Sequence, residues 1–94
     1  MRNYELTLVL PGKATEAKKK DVVEKLEKLL KVNSGKVVKS DDWGVKDLAY
    51  MINKNDAGRF LYFDIEVAPS AVKNLRDKLK LDDDIIRYLL ISQG

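Results

Sequence analysis

The chain has 94 residues, of which 45% are hydrophobic and 35% are charged, a size and composition typical of one compact domain. Its 18 basic and 15 acidic residues give a net charge of +3, which alone is too mild to indicate a polyanionic partner. Cysteine and histidine are both absent, which excludes disulfides, thiolate nucleophiles, imidazole bases and most transition-metal sites. We therefore expect a protein without a cofactor or a small-molecule substrate.

No apolar run reaches the roughly 18 residues that a membrane-spanning helix requires. Glu5 also stands where a secretory leader would have its apolar segment. No linker, repeat or low-complexity tract divides the sequence. We expect a single domain over residues 1–94 that is cytoplasmic and has no membrane contact.

The first half of the chain predicts a strand, a helix and a second strand region. The apolar residues Tyr4, Leu6, Leu8 and Leu10 alternate with Asn3, Glu5 and Thr7, the period of a half-buried strand, and Pro11 and Gly12 end the pattern. Between Thr15, a potential N-cap, and Gly35, apolar residues recur at helical spacing. Residues 36–39 and 45–53 read as extended, with a bend or bulge at Asp41, Asp42 and Gly44.

The second half predicts a hairpin partner, a second helix and a last strand. Residues 55–58 are turn formers that reverse the chain into a strand over residues 59–67. Pro69 and Ser70 open a helix with Val72, Leu75 and Leu79 on one side. Asp82, Asp83 and Asp84 form a turn rather than a cation site, because they lack the spacing of a calcium loop. Residues 85–91 are expected to form the last strand.

This order predicts an α+β, ferredoxin-like βαββαβ sandwich, a four-stranded antiparallel sheet with two helices on one face. We expect the first and third strands at the centre of the sheet as parallel neighbours. Leu48, Tyr50 and Ile52 share one register and are expected in the core. Trp43 is expected to pack against a helix end.

The segment from Trp43 to Lys54 combines an aromatic residue, a glycine, Leu48-Ala49-Tyr50, Ile52 and a terminal lysine. With the start Met1-Arg2-Asn3-Tyr4-Glu5 and with Gly58-Arg59-Phe60-Leu61, it resembles the bacterial small-subunit ribosomal protein S6 family over the whole chain. The resemblance implies a non-enzymatic structural protein that binds the central domain of small-subunit ribosomal RNA together with the basic ribosomal protein S18. Asp47, where many relatives have a second basic residue, and the end at Gly94 depart from the pattern.

Parallel central strands would place Arg2 and Arg59 at the same end of the sheet, with Lys54 across the turn. Guanidinium and ammonium groups bind phosphate oxygens, so these residues and Asn3 form a candidate phosphate clamp. The alternative is that they are ordinary solubilising charges. The family resemblance also favours RNA contact by Arg87, for which a cross-strand ion pair with Glu5 is the alternative. The candidate RNA-binding residues are Arg2, Asn3, Lys46, Lys54, Arg59 and Arg87.

The residues expected on the open face of the sheet mix apolar and acidic side chains. Such a face suits a basic protein and repels phosphate, although an ordinary solvent-facing surface is the alternative. The candidate partner-binding residues are Val9, Met51, Phe60, Tyr62, Asp64, Glu66, Leu89 and Ile91.

Two other functions fit the same fold class. The strand Gly58 to Phe63 resembles the aromatic strand of RRM-type modules that read single-stranded RNA, although neighbouring acids would crowd the bases. An acylphosphatase-like hydrolase would need an arginine in the loop after the first strand, and Leu10-Pro11-Gly12-Lys13 supplies none.

Overall fold

The computed structural model describes residues 1–52 and 54–93, and the side chain of Ile52 lies outside the description. The predicted order of elements is confirmed. The elements are β1 (Arg2–Pro11), α1 (Glu16–Val32), β2 (Lys36–Ile52), β3 (Asn55–Val67), a 3-10 turn (Pro69–Ala71), α2 (Val72–Leu81) and β4 (Arg87–Ser92). Neither helix within these ranges has the length and apolar character needed to cross a membrane.

The ends of α1 follow from local hydrogen bonding. The Thr15 hydroxyl accepts a hydrogen bond from the backbone N–H of Lys18 at 3.1 Å, as the N-cap prediction requires. At the other end the Asn33 side-chain amide donates to the Leu29 carbonyl at 2.8 Å. The helix therefore ends at Val32, before the predicted stop at Gly35. Its buried side chains are Val22, Leu26 and Leu30.

The sheet has the order β2-β3-β1-β4, and every neighbouring pair is antiparallel. The central position of β1 and β3 is as predicted, but their parallel orientation was wrong, because Arg2 pairs with Val67 and Leu10 pairs with Arg59. Helix α1 returns the chain so that β1 and β2 run the same way, and the hairpin then reverses β3. This reversal separates the residues that the clamp hypothesis brings together.

The core lies between the sheet and both helices. Leu6 and Leu8 of β1 and Phe63 and Ile65 of β3 face α1 and α2, and each of these side chains is buried. Burial of each such side chain contributes roughly 1.5–3 kcal/mol. Because both helices lie on this face, the other face of the sheet is open.

The β2–β3 hairpin departs from a regular ladder. Gly44 adopts a positive φ of 81° at a register shift, which confirms the predicted bulge. Another of the three register shifts lies between Asp47 and Ile52, so the regular pairing of β2 with β3 is interrupted there. Tyr50 is 65% exposed and Met51 is exposed beside it, so the core prediction for Tyr50 was wrong. Leu48 is only partly buried, and the prediction for the Ile52 side chain lies outside the described residues.

Candidate functional site

The candidate RNA-binding residues occupy both ends of the sheet. Arg2 and Asn3 are exposed at the start of β1, whereas Lys54 lies in the β2–β3 turn and Arg59 pairs with Leu10 at the far end of β1. The 10 residues of β1 separate the two ends by about 30 Å at roughly 3.3 Å per residue. The prediction that Arg2 and Arg59 belong to one phosphate clamp is therefore wrong.

Arg59 is already held by two carboxylates. Its Nη2 donates to Glu16 Oε1 at 2.7 Å, its Nε donates to Asp42 Oδ2 at 3.2 Å, and its side chain is 13% exposed. Lys19 Nζ lies 2.8 Å from the same Asp42 oxygen. The hydrogen bond from Arg59, and then that from Lys19, hold the pKa of Asp42 well below its ordinary value. This charge cluster ties α1 to β2 and β3.

Asp42→Asn should destabilise the domain by about 1–2 kcal/mol at neutral pH, because it removes charge-assisted hydrogen bonds from a partly exposed site. The native pKa lies below the ordinary 3.8, so the stabilisation is present above that value and is lost as the pH falls through the native pKa. Urea unfolding from pH 7 to pH 2 should show the difference between wild type and variant shrinking only below about pH 4. Asp41→Asn, which loses only a 3.8 Å pair with Lys39, is the control and should change stability little. If the difference in unfolding free energy between the wild type and Asp42→Asn did not depend on pH, the stabilising role of the ionised Asp42 would be contradicted.

Arg87 is exposed at the first position of β4, next to Val9 on β1. Its Nη1 lies 3.5 Å from the Tyr50 hydroxyl on the hairpin arm. Glu5 pairs instead with Ile91, and Gln93 Nε2 donates to Glu5 at 3.0 Å. The register therefore excludes the cross-strand pair between Arg87 and Glu5 and leaves the guanidinium at the hairpin end of the sheet.

The open face has an apolar edge beside an acidic centre. Leu89 and Ile91 of β4 are 57% and 47% exposed. Glu5 and Asp64 pair directly across β1 and β3, and Gln93 Nε2 donates to both carboxylates. Glu66 lies two positions further along β3, on the same face. The face therefore joins exposed hydrocarbon to a concentration of negative charge.

Val9 does not belong to the exposed part of this face. Although it has the outward register, its side chain is buried and lies outside the main core cluster. A Cβ placed on Gly58 would lie 2.5 Å from Val9 Cγ1 and 3.5 Å from Leu48 Cδ2. The hairpin thus covers Val9, so the expectation that Val9 is exposed on this face was wrong. Met51, also assigned to the partner face, is exposed on the hairpin arm itself.

Three aromatic residues form a cluster on the open face, which we call the aromatic patch: Trp43, Phe60 and Tyr62. The rings of Trp43 and Tyr62 stack with their centroids 5.1 Å apart and 10° between their planes. Lys46 Nζ lies 5.6 Å from the Trp43 centroid and 6.0 Å from that of Phe60. The prediction that Trp43 packs against a helix end was therefore wrong. The bulge at Gly44, one residue later, is the sequence signal that could have placed Trp43 on this face.

Carboxylates border the aromatic patch. The Tyr62 hydroxyl donates to Asp64 Oδ1 at 2.6 Å, and this hydrogen bond is the main reason that the pKa of Tyr62 is raised above its ordinary value. An RRM-type reader has outward aromatic side chains at such positions, and Phe60 and Tyr62 satisfy that requirement. The neighbouring acids oppose the phosphates of an RNA strand laid across the face.

Two of the three aspartates between α2 and β4 pair with lysines of α1. Lys18 Nζ lies 3.3 Å from Asp84, and Lys25 Nζ lies 3.8 Å from Asp82 and 3.7 Å from Asp84. The Asp84 N–H donates to Asp82 Oδ1 at 2.9 Å, which closes a turn. Over residues 1–52 and 54–93, no group of acidic, histidine or cysteine side chains is arranged to hold a metal ion.

Comparison with known proteins identifies the family. A family model described as Ribosomal protein S6 matches residues 3–92. The small ribosomal subunit protein bS6 of Desulforamulus reducens is 33% identical over 94 residues, covering 100% of this chain and 99% of the relative. That of Moorella thermoacetica is 37% identical over 94 residues, covering 96% and 92%.

A solved structure supports the fold. The 30S ribosomal protein S6 of Thermotoga maritima superposes with a TM-score of 0.89 at 22% identity, covering 98% of this chain and 87% of that one. This likeness confirms the ferredoxin-like fold. The sequence matches show that the chain belongs to the ribosomal protein S6 family and is a cytoplasmic, non-enzymatic structural protein of the small ribosomal subunit.

Proposed function

We propose that this protein binds the central domain of small-subunit ribosomal RNA together with ribosomal protein S18. The observation that carries the proposal is the distribution of charge over the sheet, because acidic and exposed apolar side chains share the open face while exposed cations lie at both ends of the sheet. The acidic residues Glu5, Asp64 and Glu66 lie beside the exposed Leu89 and Ile91 of the edge strand β4. Carboxylates repel the phosphate backbone, so a basic protein suits this face and RNA suits the cations at the strand ends.

The proposed RNA contacts fall into two groups. Arg2 and Asn3 lie at one end of the sheet, and Lys54 and Arg87 lie toward the other. Two sites roughly 30 Å apart match separate backbone segments of a folded RNA better than a short single strand. Phosphate contacts of this kind fix the orientation of the protein without reading the sequence.

Lys46 and Arg59 complete the proposed RNA-binding set, but each already has partners within the chain. Lys46 lies over the aromatic patch, and Arg59 contacts Glu16 and Asp42. A cation that must leave an existing partner gains less from a phosphate than one exposed to water. We therefore expect Arg2, Lys54 and Arg87 to contribute most of the RNA affinity.

Arg2→Ala combined with Lys54→Ala should weaken binding to a central-domain RNA fragment, in the presence of S18, by roughly tenfold at physiological ionic strength. The slope of log affinity against log salt concentration should fall by about two, because two phosphate contacts are lost. Filter binding across a salt series measures both quantities.

Lys20→Ala combined with Lys28→Ala is the matched control, since it removes the same charge from exposed positions of α1 on the covered side of the sheet. Equal losses for the two double variants would show that only net charge matters. An unchanged affinity for the Arg2 and Lys54 variant would contradict the proposed RNA contacts.

A further inference from the structure

We infer that the aromatic patch is a binding site for an arginine side chain of the protein partner, and that Lys46 occupies this site in the free protein. The inference rests on the proposed role of the open face as the surface for a basic protein. It adds the chemistry by which one part of that face would recognise such a partner.

The geometry of the aromatic patch is that of a cation site. One face of the Trp43 ring stacks on Tyr62, and Phe60 lies beside the two rings. Trp43 as a residue is 48% exposed. Lys46 Nζ lies within about 6 Å of two ring centroids, the distance at which a cation is attracted by the ring quadrupole. The position of Lys46 Nζ shows that the space over the Trp43 and Phe60 rings accommodates a positive charge.

The surrounding charge favours a cation from outside. Asp64 is hydrogen-bonded to Tyr62, and Glu5 pairs with Asp64 across the neighbouring strand. The two carboxylates face each other and accept hydrogen bonds from neutral donors, the Gln93 amide and, for Asp64, the Tyr62 hydroxyl, so negative charge is concentrated beside the rings. The pKa of Tyr62 is raised mainly by its hydrogen bond to Asp64, then by burial, and further by the negative charges of Asp64 and Glu5.

Arginine fits this combination better than lysine does. Its planar guanidinium stacks on an aromatic face and can at the same time donate parallel hydrogen bonds to a carboxylate. The Lys46 ammonium is compact and strongly hydrated, and its side chain is exposed on β2. An incoming arginine can therefore displace it. The released Lys46 ammonium would then be available for the RNA contact proposed above.

Trp43 is the only tryptophan of the chain, so its fluorescence reports directly on the site. The probe is the peptide Gly-Arg-Gly-Arg-Gly-Arg-Gly, compared with the same peptide containing lysine in place of arginine. We expect a saturable change in Trp43 emission, with tighter binding of the arginine peptide. In Lys46→Met, which keeps an apolar stem and removes the charge, the affinity for the arginine peptide should rise at least about threefold.

Lys36→Met is the matched control, because it removes the same charge from an exposed position of the same strand, opposite Glu66. Its affinity for the peptide should rise less than that of Lys46→Met. Equal effects of the two substitutions would overturn the inference, because they would show only general attraction to an acidic surface. A response of Trp43 to a short single-stranded RNA but not to the arginine peptide would also overturn it.

Binding of purified S18, measured by calorimetry, separates this inference from the proposed function. If S18 binds the wild-type protein while Trp43 emission does not respond to the arginine peptide, the proposed function stands and the arginine site is overturned. If the peptide binds as expected and S18 does not bind, the arginine site is supported and the proposed partner is wrong.

Discussion

Phe63→Ala should lower the free energy of unfolding by about 3–5 kcal/mol, the usual cost of removing a fully buried aromatic side chain. Phe63 is 2% exposed and lies on β3 opposite Leu6, where both helices cover the sheet. A cavity there loses contacts with both layers of the core. Because small domains are typically stable by only about 5–15 kcal/mol, this variant should be close to unfolding at 37 °C.

Urea denaturation followed by circular dichroism measures this loss. Phe60→Ala is the control, since Phe60 lies three positions earlier on the same strand, on the open face, and is only partly buried. It should cost no more than about half as much. Equal costs for the two variants would contradict the assignment of the buried and open faces of β3.

The buried face of β1 could be predicted from the sequence because that strand is regular. It has partners on both sides, so the alternation of Leu6 and Leu8 with Glu5 and Thr7 maps directly onto two faces. Alternation fails where the ladder is interrupted. Tyr50 and Met51 are consecutive and both exposed, because the register shift before Ile52 removes the constraint that assigns neighbours to opposite faces.

The hydrophobic pattern could not predict the direction of a strand either, because the alternation is the same for parallel and antiparallel neighbours. The consequence for the site was large, since the antiparallel pairing moved Arg2 about 26 Å from Arg59. The role of Arg59 depended on partners distant in sequence. Asp42 is 17 residues away and Glu16 is 43 residues away, and no local pattern joins them to Arg59. Residue type alone did not distinguish a partly exposed ion pair from an RNA contact.

The proposed contact of S18 with the open face can be tested by substituting its exposed apolar residues one at a time. Leu89→Lys should weaken the binding of S18 by at least about 30-fold, or roughly 2 kcal/mol. Leu89 is central in β4, opposite Thr7, and more than half exposed. The substitution removes an apolar contact and places an ammonium group against S18, the proposed basic partner, so contact loss and like-charge repulsion add.

The same substitution should leave the domain folded, since lysine is well tolerated on an exposed edge strand. Leu81→Lys is the matched control: Leu81 is 76% exposed, but it ends α2 on the other side of the sheet, where a cation also complements the helix dipole. Calorimetric titration with S18 should show a large loss for Leu89→Lys and none for Leu81→Lys. If both variants bind S18 as the wild type does, S18 contacts a surface other than the β4 side of the open face. If both lose binding equally, the effect is one of net charge, and Leu89 has no special position in the interface.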